Sequence, residues 1–250
     1  MQVQTGIVAF CDILGYRDIL KHSEPKDVAR DVIDVLKHAK QDVNGMHTDN
    51  LSPNIDRTVV TDKLGHIEWI SFSDTIALFH SYPDNARNAD KYICWLVTII
   101  NLIYLFQHML DRGLPIRGAI SFGSFYHDGL HFAGVPIVDA HDLSEDLSLS
   151  AIALHDKASA ELQTFNAFNP HSTIAVATRD YRTPCKSRTA NFHLLYPYVP
   201  GTLITQKIKA SISDYLTQAF CSHGKSLVNP RAKEIHQNTL AYYESIIARK

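Results

Sequence analysis

Residues 6–16 read GIVAFCDILGY, and residues 71–76 read SFSDTI. The first stretch runs apolar from Ile7 to Cys11, meets one acid, Asp12, and stops at Gly15. Its β-branched and aromatic content predicts a strand, and Gly15 predicts the tight turn that ends it. The second stretch joins two strand-like runs, HIEWISF and TIALFH, around Ser73-Asp74. That pattern predicts a β-hairpin with an acid at its tip. Between them, Val28, Val32, Val35, Leu36 and Ala39 recur at helical spacing from Ser23 to about Val43, with Ser23 and Pro25 marking the start. Residues 44–58, NGMHTDNLSPNIDRT, are polar and rich in turn formers and predict a loop.

Working outward, Pro83 and Asn85 open a long predicted helix over roughly 85–111, which Gly113 and Pro115 stop. Its stretch 92–110, YICWLVTIINLIYLFQHML, has no charged residue and the length of a minimal membrane span. Thr98, Asn101, Gln107 and His108 interrupt it, and charged ADK and DRG bracket it. A helix buried on most of its circumference, against a sheet or a second subunit, is therefore expected, with no membrane insertion. PIRGAISFGSFY reads as a strand, HDG as a turn and LHFAG as a return strand. Helical spacing from Val135 to about Leu162 predicts one helix or two. STIAVAT and NFHLLYPYV read as strands, and 203–221 and 230–248 as amphipathic helices. The first 160 residues thus run β-α-β-β-α-β-β-α, an α/β sandwich on a mostly antiparallel sheet. Residues 1–165 form the expected core; 166–250 add strands and helices that complete the same domain and build a dimer interface.

With 250 residues, a formal net charge of −2 and no basic block, the chain lacks the electrostatic footprint of a nucleic-acid binder. Cys11, Cys94, Cys185 and Cys221 are far apart and form no CxxC pair, which argues against a disulfide framework or zinc knuckle and fits a reducing cytoplasm. MQVQTGIVAF has no basic segment ahead of a long apolar run, so no signal peptide is expected. His127, His131, His141 and His155 show no metal-ligand spacing. There is no G-x-S-x-G elbow, no Walker A motif and no G-x-G-x-x-G.

Asp12 and Asp74 carry the chemistry. Either acid alone reads as a turn residue. In a βαββ unit, however, the first strand lies beside the hairpin, and both acids can reach one sheet edge. Two carboxylates and the carbonyl of Ile13 could then bind two divalent cations, which clamp the attacking and leaving oxygens of a phosphoryl transfer. The turn around Gly15 could cradle a phosphate chain.

FCDILGY resembles the F-x-D-I-x-G-F strand of the class III nucleotidyl cyclases, and SFSDTIAL resembles their hairpin, which has Gly-Asp where this chain has Ser73-Asp74. PIRGAISFG resembles their R-x-G-I-H-x-G strand, and FAGVPIVDAHDL resembles the G-x-x-V-N-x-A-A-R-L helix entry. The four motifs keep the family's order across residues 7–145. The resemblance implies Asp12, Ile13 and Asp74 as metal ligands. It also implies the backbone of Ile13, Leu14, Gly15 and Tyr16 as the triphosphate holder, and a head-to-tail homodimer with sites at the interface.

Departures from the purine cyclases narrow the expectation. Their base-reading lysine falls at Ile70, a second base-reading acid near His131, and their transition-state asparagine and arginine near Val138 and Asp142. D-I-L-G-Y, F-S-D-T-I and R-G-A-I-S-F-G with a helical C-terminal extension look like the pyrimidine cyclases of bacterial Pycsar anti-phage systems. That resemblance implies conversion of UTP or CTP to the cyclic nucleotide, Mn2+ or Mg2+ as cofactor, and a product that acts on a separate effector protein. Arg117 and Arg17 are the candidates to replace the missing arginine, and Ser73 and Tyr16 are expected at the nucleotide. The alternatives are a catalytically inactive nucleotide-binding module on the same fold, and another two-metal phosphoryl enzyme giving linear products.

Overall fold

Alternation along the first strand gives the sheet its two sides. In β1 (Gln2–Ile13), Ile7, Ala9, Cys11 and Ile13 enter a large apolar core, whereas Val8 belongs to a smaller cluster on the opposite face. Phe10 packs against that smaller cluster, and Asp12 lies two residues farther along the same side. The structure is a computed structural model that describes residues 2–22, 24, 26–35, 37, 66–83, 85–128, 131–197 and 211–248.

After β1 come α1 (Tyr16–His22), α2 (residues 26–35), β2 (His66–Phe72) and β3 (Thr75–Ser81). Next follow α3 (Asn88–Asp111), β4 (Ile116–Asp128), β5 (His131–Ala133) and α4 (Val135–Asp146). The chain continues through β6 (Ile152–Leu154), α5 (Asp156–Thr164) and α6 (Thr173–Ala177). It ends with β7 (Thr178–Pro184), β8 (Thr189–Leu195), α7 (Ile212–Cys221) and α8 (Pro230–Ile247). One eight-stranded sheet has the order β2-β3-β1-β4-β6-β8-β7, with β5 paired to β4. Every pairing is antiparallel except β4 with β6. The expected class, α/β on a mostly antiparallel sheet flanked by helices, is what the chain adopts.

The apolar composition of α3 is explained by packing. It is long and apolar enough to cross a membrane, yet 67% of that stretch is buried. Cys94, Trp95, Ile99, Leu102, Leu105 and Met109 share the large core with β1 and β4. At its end Gly113 takes φ +70°, a left-handed stop that favours glycine.

Four local expectations change. GIVAFCDILGY ends in a turn, but α1 follows at once, from Tyr16. The predicted helical span 135–162 contains a strand: β6 is three buried residues, IAL, inserted between α4 and α5. STIAVAT is a short helix rather than a strand. The Ser172 hydroxyl accepts the Ile174 N–H, and that cap outweighs the β-branched composition. Strand β7 is the polar TRDYRTP that follows. The predicted loop at 44–58, the start signals Ser23 and Pro25, and positions 203–210 lie outside the described residues.

Candidate active site

Register brings the site together. Asp12 pairs with Thr75 on β3 and with Arg117 on β4, so three side chains form one row across β3, β1 and β4. Thr75 Oγ1 donates to Asp12 Oδ1 at 3.2 Å. The β2–β3 hairpin closes through two residues, Ser73 and Asp74, since Phe72 pairs with Thr75. Ser73 sits at φ +57°, in the left-handed region that favours glycine. The turn delivers Asp74 beside Ile13, whose N–H donates to the Asp74 carbonyl at 2.9 Å. No return bond from the Asp74 amide to the Ile13 carbonyl is found among the described residues, so that oxygen keeps its lone pairs.

Burial raises the pKa of Asp12 above its ordinary value, and the Asp74 carboxylate adds to the rise. The Arg117 guanidinium, the Thr75 hydroxyl and His141 act against it. Burial also lowers the proton affinity of Arg117, with Asp12 and Glu145 opposing and Arg231 assisting. Arg117 Nη1 donates to the Leu147 carbonyl at 3.3 Å, while its Nε is buried with no acceptor among the described residues. Asp12 and Arg117 are neighbours in the row, yet no direct ion pair within 4.0 Å joins them. The half-buried carboxylate therefore remains available as a ligand.

The turn after Asp12 offers fewer amides than the sequence suggests. Ile13 N–H is held by Asp74, and Leu14 N–H by the Pro115 carbonyl at 2.8 Å. Gly15 takes φ +74°, and its carbonyl accepts from Asp18 and Ile19 at 2.9 and 3.0 Å to start α1. That leaves the amides of Gly15, Tyr16 and Arg17 without an acceptor among the described residues. The Tyr16 ring packs against the large core, and Arg17 is exposed.

The positions that the resemblance matches to the base-reading and transition-state residues of purine cyclases carry other side chains here. Ile70 packs on the small cluster of Val8, Ala77, Phe79 and Phe125. Val138 is 57% exposed on α4, and Asp142 pairs with His141 at 3.1 Å. His131 opens β5. Thr75 beside Asp12, and the Leu147 carbonyl and Arg231 near Arg117, were not anticipated from the sequence. Thr75 follows the hairpin acid directly, a signal that was present in SFSDTI; the other two depend on contacts between distant segments.

Two carboxylates and a free carbonyl are hard oxygen donors, the set that suits Mg2+ or Mn2+ rather than a thiophilic metal. No cluster of three or more His, Cys, Asp or Glu side chains among the described residues could hold a metal. A cation at Asp12, Asp74 and Ile13 would thus complete its coordination with substrate oxygens or water.

No protein-family model matches the sequence, and no curated protein matches it. Among solved structures the chain is similar to a bacterial light-regulated adenylyl cyclase, with 13% identity and a TM-score of 0.42, covering 84% of this chain and 99% of that one. It is also similar to the catalytic core of a rhodopsin-guanylyl cyclase with converted specificity in complex with ATPαS. There the identity is 13% and the TM-score 0.45, over 78% of this chain and 98% of the other. Similarity at this level concerns general shape, and the chemistry is left to the residues.

Proposed function

We propose that this protein is a pyrimidine nucleotide cyclase that converts UTP or CTP to the 3′,5′-cyclic nucleotide and pyrophosphate. In this reading it acts in the cytoplasm as a homodimer with two divalent cations, Mn2+ or Mg2+. Its product is a second messenger for a separate effector in anti-phage defence. The observation that carries the reading is the meeting of Asp12, Asp74 and the free Ile13 carbonyl at one sheet edge, with Arg117 alongside.

In the reaction the ribose 3′-oxygen attacks the α-phosphorus, its proton passes to solvent water, and the bond from the α-phosphorus to the α–β bridging oxygen breaks to release pyrophosphate. Bound divalent cations supply charge neutralisation and a more acidic hydroxyl. Asp12 and Asp74, with the Ile13 carbonyl, would hold them. Thr75 fixes the Asp12 carboxylate by its 3.2 Å hydrogen bond. Arg117, in the row beside Asp12, stabilises charge that develops on the phosphate oxygens. Amides of Gly15, Tyr16 and Arg17 stand at the turn for the phosphate chain. Support for a pyrimidine comes from Ile70 and His131, which replace the purine-reading lysine and acid.

The inactive nucleotide-binding module draws on Val138 and Asp142, which cannot do the work of the asparagine and arginine. Incubation with each of the four nucleoside triphosphates and Mn2+, with products resolved by mass spectrometry, separates these readings. One cyclic pyrimidine nucleotide is expected. Linear products, a cyclic purine nucleotide, or triphosphate binding without pyrophosphate release would overturn the proposal.

A further inference from the structure

Helix α4 lies over β1 and β4, on the side of the sheet that carries the small apolar cluster. It runs from Gly134, packed against Phe125, to Leu147, whose carbonyl accepts from Arg117. Ile137 packs on the cluster, and His141 follows one turn later on the same face of the helix. An imidazole thus takes the place of an apolar side chain as the helix nears the acid end of β1. The His141 ring meets Phe10 edge-on, with centroids 5.0 Å apart and planes at 81°. Phe10 and Asp12 lie on one side of β1, and two residues of strand span about 7 Å. That interval has room for one sugar oxygen between the imidazole and the carboxylate.

The ring is also oriented. Asp142 Oδ1 lies 3.1 Å from His141 Nδ1. An ionised carboxylate only accepts, so the neutral ring carries its proton on Nδ1 and its lone pair on Nε2. Nε2 has no partner among the described residues, and the side chain is 45% exposed, so a ligand can reach it. The site feels this group: burial raises the pKa of Asp12, and His141 is among the groups that act against the rise. An imidazole held by a carboxylate, with its second nitrogen free, is the arrangement of a general base.

We propose that His141 is a catalytic residue, oriented by Asp142, that accepts the proton of the attacking ribose 3′-hydroxyl. The nucleoside triphosphate substrate rests on the function proposed above. As the bond from the 3′-oxygen to the α-phosphorus forms, the O–H electron pair stays with that oxygen and the proton goes to Nε2. The bond to the α–β bridging oxygen breaks, and pyrophosphate leaves with its electron pair. The imidazolium then returns the proton to solvent water. Asp142, which cannot stand in for an arginine, gains a part in the reaction by fixing the tautomer of its neighbour.

Steady-state rates with UTP and CTP in Mn2+, compared between wild type and His141→Ala of the full chain, test this. In the variant kcat should fall about 100-fold or more while KM stays within about threefold. Imidazole added to the buffer should raise the rate of His141→Ala about tenfold and leave wild type unchanged. A structural role would not produce that rescue. An undiminished kcat in His141→Ala would overturn the assignment and leave the cyclase standing. So would a loss that imidazole does not relieve, or one that appears in KM alone. Absence of any cyclic product from wild type would remove the cyclase, and the role of His141 with it.

Discussion

Asp12 shows how one side chain trades stability for chemistry. Its carboxylate is half-buried, accepts one hydrogen bond from Thr75, and has a second acid nearby. Burial first, and Asp74 after it, raise its pKa above the ordinary 3.8. A raised folded-state value means that folding favours the protonated acid. The associated stability is present at low pH and is lost as pH rises through the window between 3.8 and the raised value. Asp12→Asn keeps the Thr75 contact and cannot ionise, so its Tm should match or exceed that of wild type. The difference should widen as pH rises from about 4 towards neutrality, then level off. Scanning calorimetry across that range checks this, and an Asn variant less stable at neutral than at acid pH, relative to wild type, would refute it. Much of this residue was legible in FCDILGY: an acid at the end of an apolar strand, followed by glycine. The loss of two turn amides to backbone partners was not, because it depends on the carbonyls of Asp74 and Pro115, far away in sequence.

At the scale of elements, long periodic segments were the readable ones. The hairpin and α3 fall close to their predicted limits because each carries its own signals, alternation around Ser73-Asp74 in one and a run ended by Gly113 in the other. Strand β6 escaped because three buried apolar residues carry no period of their own and are flanked by helices. Residues 172–178 were misread because β-branched composition favours a strand while a serine cap settles a helix. The placement of α3 makes a sharp mutational prediction. Ile99, 0% exposed, should lose about 2–5 kcal/mol on replacement by alanine. Ile93, 42% exposed, should accept lysine with a change within about 0.5 kcal/mol. Chemical denaturation measures both. A helix that met lipid around its circumference would not separate the two positions in this way.

For the whole molecule, one sheet with two unequal faces explains where the chemistry sits. Most of the apolar residues lie on the side packed by α3, which leaves Asp12, Thr75 and Arg117 on the more thinly covered side. Phe72, 80% exposed, and Val138 lie among the exposed apolar residues, on the β2 strand and on α4. Residues beyond 166 join the same sheet through β7 and β8 and return α8 to the loop that holds Arg117. That return was beyond the sequence, because nothing local in an amphipathic helix says which loop it will grip. The unity of the two acids is tested most directly by pyrophosphate release from UTP and CTP with Mn2+, compared among wild type, Asp12→Asn and Asp74→Asn. Each single substitution should cut the rate by roughly 10²–10³-fold or more, and the double variant should be little worse than either. Turnover that survives either change, or losses that simply multiply in the double variant, would contradict a single site built from both aspartates.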